Sequence, residues 1–402
     1  MTESSHPTRD TDPELRARLR GEPLIAAVAP HLSDGVWAVG GVVRDALRGA
    51  AAGPDADLVV EGDAIEEAWR VGRALGVHPA THERFGTAVL ELADGHVDFV
   101  TARREEYAHP GALPDVERAS LDDDLARRDF TVNAVAVRLA GGDAGAIADP
   151  HGGRADLRAG VLRALRRGEF TEDPSRVVRA ARYAARLALH ADPATEVELR
   201  AAAPVLDWGS ARVAEELRRL LDEESAQPAL NLLAAWGAPG LLPHSHPGLA
   251  DVDAAAARLG VENPPRWALR LGVAAGSDAR AAMALPGWAL EAARDVAAAP
   301  ALLDDIRGAT RPSQVDAVLS RAPVGTLVGL HARRDERVTA WWEIHRGVEL
   351  AVGGADLVRH GVPPGPGLGE ALRRVRAAVI DGEVRGAREQ LALALRVAGV
   401  EG

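Results

Sequence analysis

Five short apolar runs with β character, "VWAVGG", "ADLVVEG", "TAVLELA", "GHVDFVTA" and "NAVAVRLA", are confined to residues 36–150 of this 402-residue chain, where they alternate with helical segments. Beyond about residue 154 such runs nearly vanish. Ala/Leu/Arg segments at helical spacing take over, broken by Pro and Gly near 204, 227, 238–248 and 264–265. A chain divided this way is expected to build an α+β fold: a small head on one sheet, followed by an all-helical remainder. Residues 1–30 read as a loose arm and a first helix. The length exceeds what one compact core supports, so several domains are expected.

Composition removes whole classes of function. The chain has no cysteine, which excludes disulfides, thiolate catalysis and cysteine zinc sites together. Its polar start has no apolar core of the signal-peptide kind, and no apolar stretch approaches a membrane span, so a soluble cytoplasmic protein is expected. The formal net charge is −12, and its distribution matters more than its sum. Residues 1–150 carry 15 Arg against 27 acids, whereas residues 151–402 carry 32 of each. The acid excess therefore lies where a metal site would need it. Residues 151–190 hold nine Arg against four acids, a local basic stripe. There is no Lys, and exclusive Arg use beside abundant Ala and Gly points to GC-rich coding, so Arg counts alone carry little weight.

In "DADLVV" the side chains of Asp55 and Asp57 are two apart on an extended segment and point to one side of the sheet. Parallel carboxylates repel unless something positive sits between them. A hard divalent cation with oxygen ligands answers that need, and Mg²⁺ bridging to substrate phosphates fits best. Asp98, inside "GHVDFVTA", is a candidate third carboxylate, although a solvated edge residue would look the same. In "VGGVVRD", Gly40 and Gly41 end a β run, let the backbone approach a ligand and leave amides free at a helix start. Arg44 follows one turn in, where it could meet a phosphate bidentately, with Asp45 beside it. The spacing matches neither the Walker loop nor the dinucleotide fingerprint.

Four motifs in this order, "GGVVRD", "DADLVV", "RRDFTVNAVA" at 127–136 and "EDPSRVVRAARYAARL" at 172–187, resemble those of bacterial class II tRNA nucleotidyltransferases. That family comprises the CCA-adding enzymes and their poly(A) polymerase relatives, within the polymerase-beta-like superfamily. The closing "DLVRHGVPPGPGLGEALRRVRAAVIDGEVRGARE" is similar to the C-terminal region of many members, whereas residues 200–350 match no motif. The resemblance implies a polymerase-beta-like nucleotidyltransferase head over 31–150, a helical neck over 151–220 and a tRNA-binding body and tail over 221–402. Asp55 and Asp57 would ligate two Mg²⁺ ions, and Gly41 and Arg44 would hold the triphosphate. Arg127, Arg128 and Asp129 would meet the ribose and phosphates. Asp173, Arg176, Arg179 and Arg182 would line the nucleotide pocket. CTP, ATP and the tRNA 3′ end would be the substrates, and no protein partner is evident.

Base chemistry agrees with the resemblance at its most specific point. Cytosine and adenine both present an amino donor beside a ring-nitrogen acceptor, while uracil and guanine present a carbonyl beside a ring N–H. One Asp and one Arg therefore select C and A without a template. Asp173 and Arg176, three apart, are expected on one face of a helix. On that wheel Arg176 lies about 60° from Asp173, Arg179 about 120° away and Arg182 opposite, which assigns Arg179 and Arg182 to phosphate or tRNA backbone. "LDDDLARRDF" taken alone would be an ordinary surface helix of acids followed by arginines, and Asn133 could hold the nucleotide or the Arg triplet by hydrogen bonding.

Tyr107 and the "HPGALP" segment resemble members that add only part of CCA, A-adding ones included, as much as full CCA-adding enzymes. A poly(A) polymerase and an inactive tRNA-binding protein are the competing expectations. The absence of any His-Asp dipeptide argues against an appended phosphohydrolase site, and His244 and His246 read as a loop.

Overall fold

The computed structural model describes residues 10–51, 53–106 and 115–400. Tyr107 and the 109–114 segment lie outside the described residues, as do residues 1–9 of the arm. The rest of the arm is two helices, α1 (Pro13–Gly21) and α2 (Pro23–Val28), each started by a Pro. The Asp12 side chain caps α1 by accepting from the amides of Glu14 and Leu15. Leu15, Leu19, Leu24, Ile25 and Val28 are buried in the head core, so this segment is part of the fold.

The head then runs β1 (Val36–Val39), α3 (Gly41–Arg48), β2 (Asp55–Val60), α4 (Ala64–Leu75), β3 (Ala80–His82), β4 (Thr87–Leu92) and β5 (Gly95–Thr101). A separate hairpin, β6 (Arg103–Glu106) with β7 (Asp115–Arg118), precedes α5 (Leu121–Ala126), β8 (Ala136–Arg138) and β9 (Ile147–Ala148). Seven strands form one mixed sheet in the order β3-β4-β5-β2-β1-β8-β9. Its β2–β5 pair is parallel and the others are antiparallel. The period of two sorts the strands. Val36, Ala38, Leu58, Val60, Val97 and Phe99 face α3, α4 and the arm, while Trp37, Val39 and Val59 face Leu121 and Leu125 of α5. Asp55 and Asp57 share the second face.

After the head come α6 (Gly153–Ala159), β10 (Val161–Leu162), α7 (Glu169–Glu172), α8 (Ser175–Leu187), β11 (His190–Ala191), α9 (Pro193–Ala202) and α10 (Ala211–Asp222). The chain forms two compact units, Met1–Glu216 with Ala235–Pro239, and Leu217–Ala234 with Gly240–Gly402. The first thus holds the sheet and α8 together.

The second unit is helical. Its longest helix, Gly287–Gly308, meets the helices Arg266–Ala274 and Val324–His331 at glycines. A Cβ on Gly329 would come within 2.5 Å of the Val296 carbonyl oxygen, which explains the small residue there. His244 and His246 lie in a loop. Among the described residues, no helix is long and apolar enough to cross a membrane.

Candidate active site

Strand pairing brings the acidic residues together. On the parallel β2–β5 pair, Asp57 lies beside Asp98 and Asp55 beside His96. Asp55 is 62% exposed and Asp98 32%. The His96 ring sits between those two, Nδ1 3.5 Å from Asp55 and Nε2 3.6 Å from Asp98. Burial pushes the Asp57 carboxyl above the usual range; the Arg128 guanidinium opposes that shift and Asp55 adds to it. Burial also raises Asp98, with the Asp57 charge contributing. These are carboxylates that lack enough positive charge nearby. No three metal-ligating groups already converge among the described residues. An open set of one or two carboxylates suits a hard cation that keeps waters and takes phosphate oxygens.

Gly40 explains how close this site comes to the backbone. Its φ is 69°, and a Cβ there would lie 2.9 Å from Asp57 Oδ2 and 3.4 Å from Arg128 Nη1. It precedes the first turn of α3, whose leading amides have no partner within the helix.

A cleft of about 340 Å³ runs from this corner across the head to α8, all within the first compact unit. Of the residues singled out from sequence, Gly40, Gly41, Asp57, Arg127, Arg128, Asp129, Asn133, Asp173, Arg176 and Arg179 line it. Arg44, Asp45, Asp55, Asp98 and Arg182 do not. Arg44 is buried, donates through Nε and Nη2 to Asp45 and through Nη1 to Asn133, and lies over the Tyr183 ring. Its guanidinium is thus engaged by Asp45 and Asn133 beside the cleft.

The adjacent Arg127 and Arg128 share one carboxylate. Asp124 of α5 is fully buried and accepts from Arg127 Nε and Nη2 at 2.9 and 2.6 Å, and from Arg128 Nε and Nη2 at 3.3 and 3.1 Å. Arg127 also donates to Glu105 of β6. The run of acids before "ARRD" is therefore not a solvated surface helix at its third member. Asp129 accepts from the Phe130 amide, Asn133 Nδ2 and Arg179 Nη1. Asn133 joins Arg44 to Asp129, a bracing role inside the Arg triplet's own framework.

Asp173 and Arg176 depart from the helical wheel. Asp173 has φ −132° and ψ 89° and lies before α8, because the following Pro174 disfavours helical geometry there. Its Oδ1 accepts from the Ser175 amide and hydroxyl, and its Oδ2 from Arg212 of α10. Arg176 Nη1 donates to Glu169 and Nη2 to the Arg127 carbonyl, while its Nε is 3.8 Å from Asp173 Oδ2. Arg179 and Arg182 both pair with Glu216, so they form no free phosphate-facing stripe. Sequence reasoning missed Arg103, Glu105, Tyr183 and Arg212 in the cleft wall, and Asp124, Glu169 and Glu216 behind it. Only Asp124 left a local signal, its spacing of three and four from the arginines.

A strand–Gly-Gly–helix corner beside paired strand carboxylates defines a nucleotidyltransferase head. The family described as the poly(A) polymerase head domain matches residues 36–163, and a putative second domain of tRNA nucleotidyltransferases matches residues 334–395. The CC-adding tRNA nucleotidyltransferase of Deinococcus radiodurans is 36% identical over 358 residues, covering 88% of this chain and 86% of that protein. The chain belongs to the tRNA nucleotidyltransferase family. The A-adding enzyme of Aquifex aeolicus is 47% identical over 166 residues, 41% of this chain. The chain spans between 20% and 45% of the A-adding relatives it matches. Among solved structures, the Thermotoga maritima CCA-adding enzyme complexed with tRNA superposes with a TM-score of 0.73 at 26% identity, covering 98% of this chain and all of that one.

Proposed function

We propose that this chain adds C and/or A residues of the 3′-terminal CCA to tRNA from CTP and ATP, releasing pyrophosphate. The observation that carries this reading is one cleft with Asp57 at one end and Asp173 beside Arg176 at the other. The tRNA 3′-hydroxyl oxygen attacks the α-phosphorus in line, and the bond to the bridging oxygen of the β-phosphate breaks. Asp55 and Asp57 would hold Mg²⁺, which when bound lowers the pKa of the attacking hydroxyl and neutralises the departing pyrophosphate. Asp98 would complete the acidic set. The amides at Gly40 and Gly41 and the guanidiniums of Arg127 and Arg128 would receive the triphosphate. Arg44, Asp45, Asp129 and Asn133 keep that wall in register. Asp173 accepts from the exocyclic amine shared by C and A, Arg176 donates to the adjacent ring nitrogen, and Arg179 and Arg182 fix α8 through Glu216.

The test is incubation with tRNAs ending at the discriminator base, at C and at CC, each nucleotide supplied singly. Extension of any RNA with ATP would instead indicate a poly(A) polymerase, and absence of pyrophosphate release an inactive binder. Base choice has its own prediction. Asp173→Ala should relax discrimination against UTP and GTP more than it slows transfer. The loss of one charged hydrogen bond is about 1.5–3 kcal/mol, roughly tenfold to over a hundredfold in selectivity. Single-nucleotide incorporation with all four triphosphates measures it, and unchanged preference would rule out side-chain templating. Body and tail would hold tRNA by shape and phosphate contacts. Binding should then fall steeply with salt and survive anticodon changes, as titration with anticodon variants at several ionic strengths would register.

A further inference from the structure

We propose that Glu169, which does not line the cleft, is a positioning residue for nucleotide recognition: it tethers the Arg176 guanidinium from behind and governs how readily Arg176 turns to the base. The proposal rests on the reading of Asp173 and Arg176 as the base-selecting pair.

Glu169 opens α7 and is fully buried. Its Oε2 accepts from Arg176 Nη1 at 3.0 Å, while its buried Oε1 has no hydrogen-bond partner. Arg176 is shared among several acceptors. Nη1 also reaches the Arg128 carbonyl at 3.3 Å, Nη2 reaches the Arg127 carbonyl at 2.9 Å, and Nε, without a hydrogen-bond partner, faces Asp173 Oδ2. With both terminal nitrogens engaged, Arg176 can offer them to a base only by releasing an acceptor. Two of those acceptors are backbone carbonyls of fixed polarity. The third is a carboxyl, and it alone can change its hold by changing its charge.

A buried carboxylate with one bare oxygen is poorly stabilised as an anion. The charged groups facing it are Arg176 from α8, Asp129 from the segment after α5, and Arg166 from the turn before α7. Burial pushes Glu169 up to about 8, against the pull of Arg176 and Arg166 and with the push of Asp129. Near neutral pH the neutral acid accepts a hydrogen bond from the Arg176 cation. As pH rises through that value the anion forms and the contact becomes a buried ion pair that holds the guanidinium more tightly. Arg176 is then drawn away from the base.

The experiment measures KM and kcat for CTP and ATP across the alkaline range, with a tRNA 3′ end that accepts each nucleotide. Wild type should show KM rising about threefold to tenfold as pH passes 8, a rise that kcat does not share. Glu169→Gln fixes the neutral form, so its KM should match wild type near neutrality and stay flat above it. Glu169→Ala removes the tether and should change KM at every pH while leaving kcat within about twofold. If the Gln variant keeps the alkaline rise in KM, or if both variants scale KM and kcat alike, the positioning role is overturned. Asp173→Ala in the same assay separates the two claims. Unchanged base preference there would remove the base-selecting reading itself. Relaxed preference beside an unaltered Gln profile would remove the Glu169 proposal alone.

Discussion

Asp57→Ala is expected to lower nucleotide transfer by on the order of 10³-fold or more while leaving the head at least as stable as wild type. The two halves of this expectation have one cause. Asp57 is held against Asp98 by strand register and is half-buried, so its carboxyl is raised, first by desolvation and further by the Asp55 charge. A group with a raised folded-state pKa contributes stability below its unfolded value and loses it as pH climbs through the folded one. At neutral pH an ionised Asp57 therefore works against folding, a cost that its proposed use on a metal would offset. Alanine removes the repulsion and the burial penalty together. Thermal unfolding and single-turnover transfer on one preparation test both halves, with binding of Mn²⁺ as a direct readout of the site. Activity within tenfold of wild type, or a large fall in stability, would exclude Asp57 from the metal site. Asp55→Ala should behave alike in activity but with little effect on stability, since Asp55 is mostly exposed.

What the sequence made legible here was whatever depends on near neighbours. The five β runs became β1, β2, β4, β5 and β8, because period-two alternation is a local property. The Asp55/Asp57 pair was legible for the same reason. The hairpin β6–β7 was not, since "RREE" and "DVER" carry no apolar alternation. The place of Asp173 outside the helix has a local cause: Pro174 follows it, and the residue before a proline is pushed out of helical geometry. The bracing was unreadable for a different reason. Arg179 meets Glu216 at a separation of 37 residues, and Arg212 meets Asp173 at 39. No spacing rule links positions that only the tertiary packing brings together. The same packing turned arginines that look solvated on a wheel into partners of buried carboxylates. That changes which of them are free to meet a substrate.

Asp124→Ala is expected to remove about 3–5 kcal/mol from the local stability of the head, the largest stability effect of any variant considered, and to cripple transfer although Asp124 does not line the cleft. Asp124 sits at the fourth position of α5, whose start is fixed by the reciprocal Ser120–Asp123 cap. Burial would raise its carboxyl, but the charges and hydrogen bonds of Arg128 and Arg127 outweigh burial and hold it below the usual range. A carboxylate with a lowered folded-state pKa contributes stability above its unfolded value and loses it as pH falls through the folded one. The wild-type head should therefore loosen on acidification in a step that Asp124→Ala lacks. With alanine, Arg127 keeps Glu105, but Arg128 loses its only side-chain hydrogen-bond acceptor among the described contacts. The freed Arg128 guanidinium lies beside Gly40 and Asp57 and is expected to collapse onto Asp57, the carboxylate proposed to hold the metal. Loss of activity and loss of stability would then come from one broken contact. Asp124→Asn separates them: it keeps the shape and one acceptor oxygen, so it should recover part of the stability while Arg128 still favours Asp57. Hydrogen exchange over residues 121–133 measures the local stability, and transfer rates at raised metal concentration measure the competition. If Asp124→Ala lost less than about 1 kcal/mol, the value of a solvated surface pair, the buried clamp would not be what orders the Arg127–Arg128 wall.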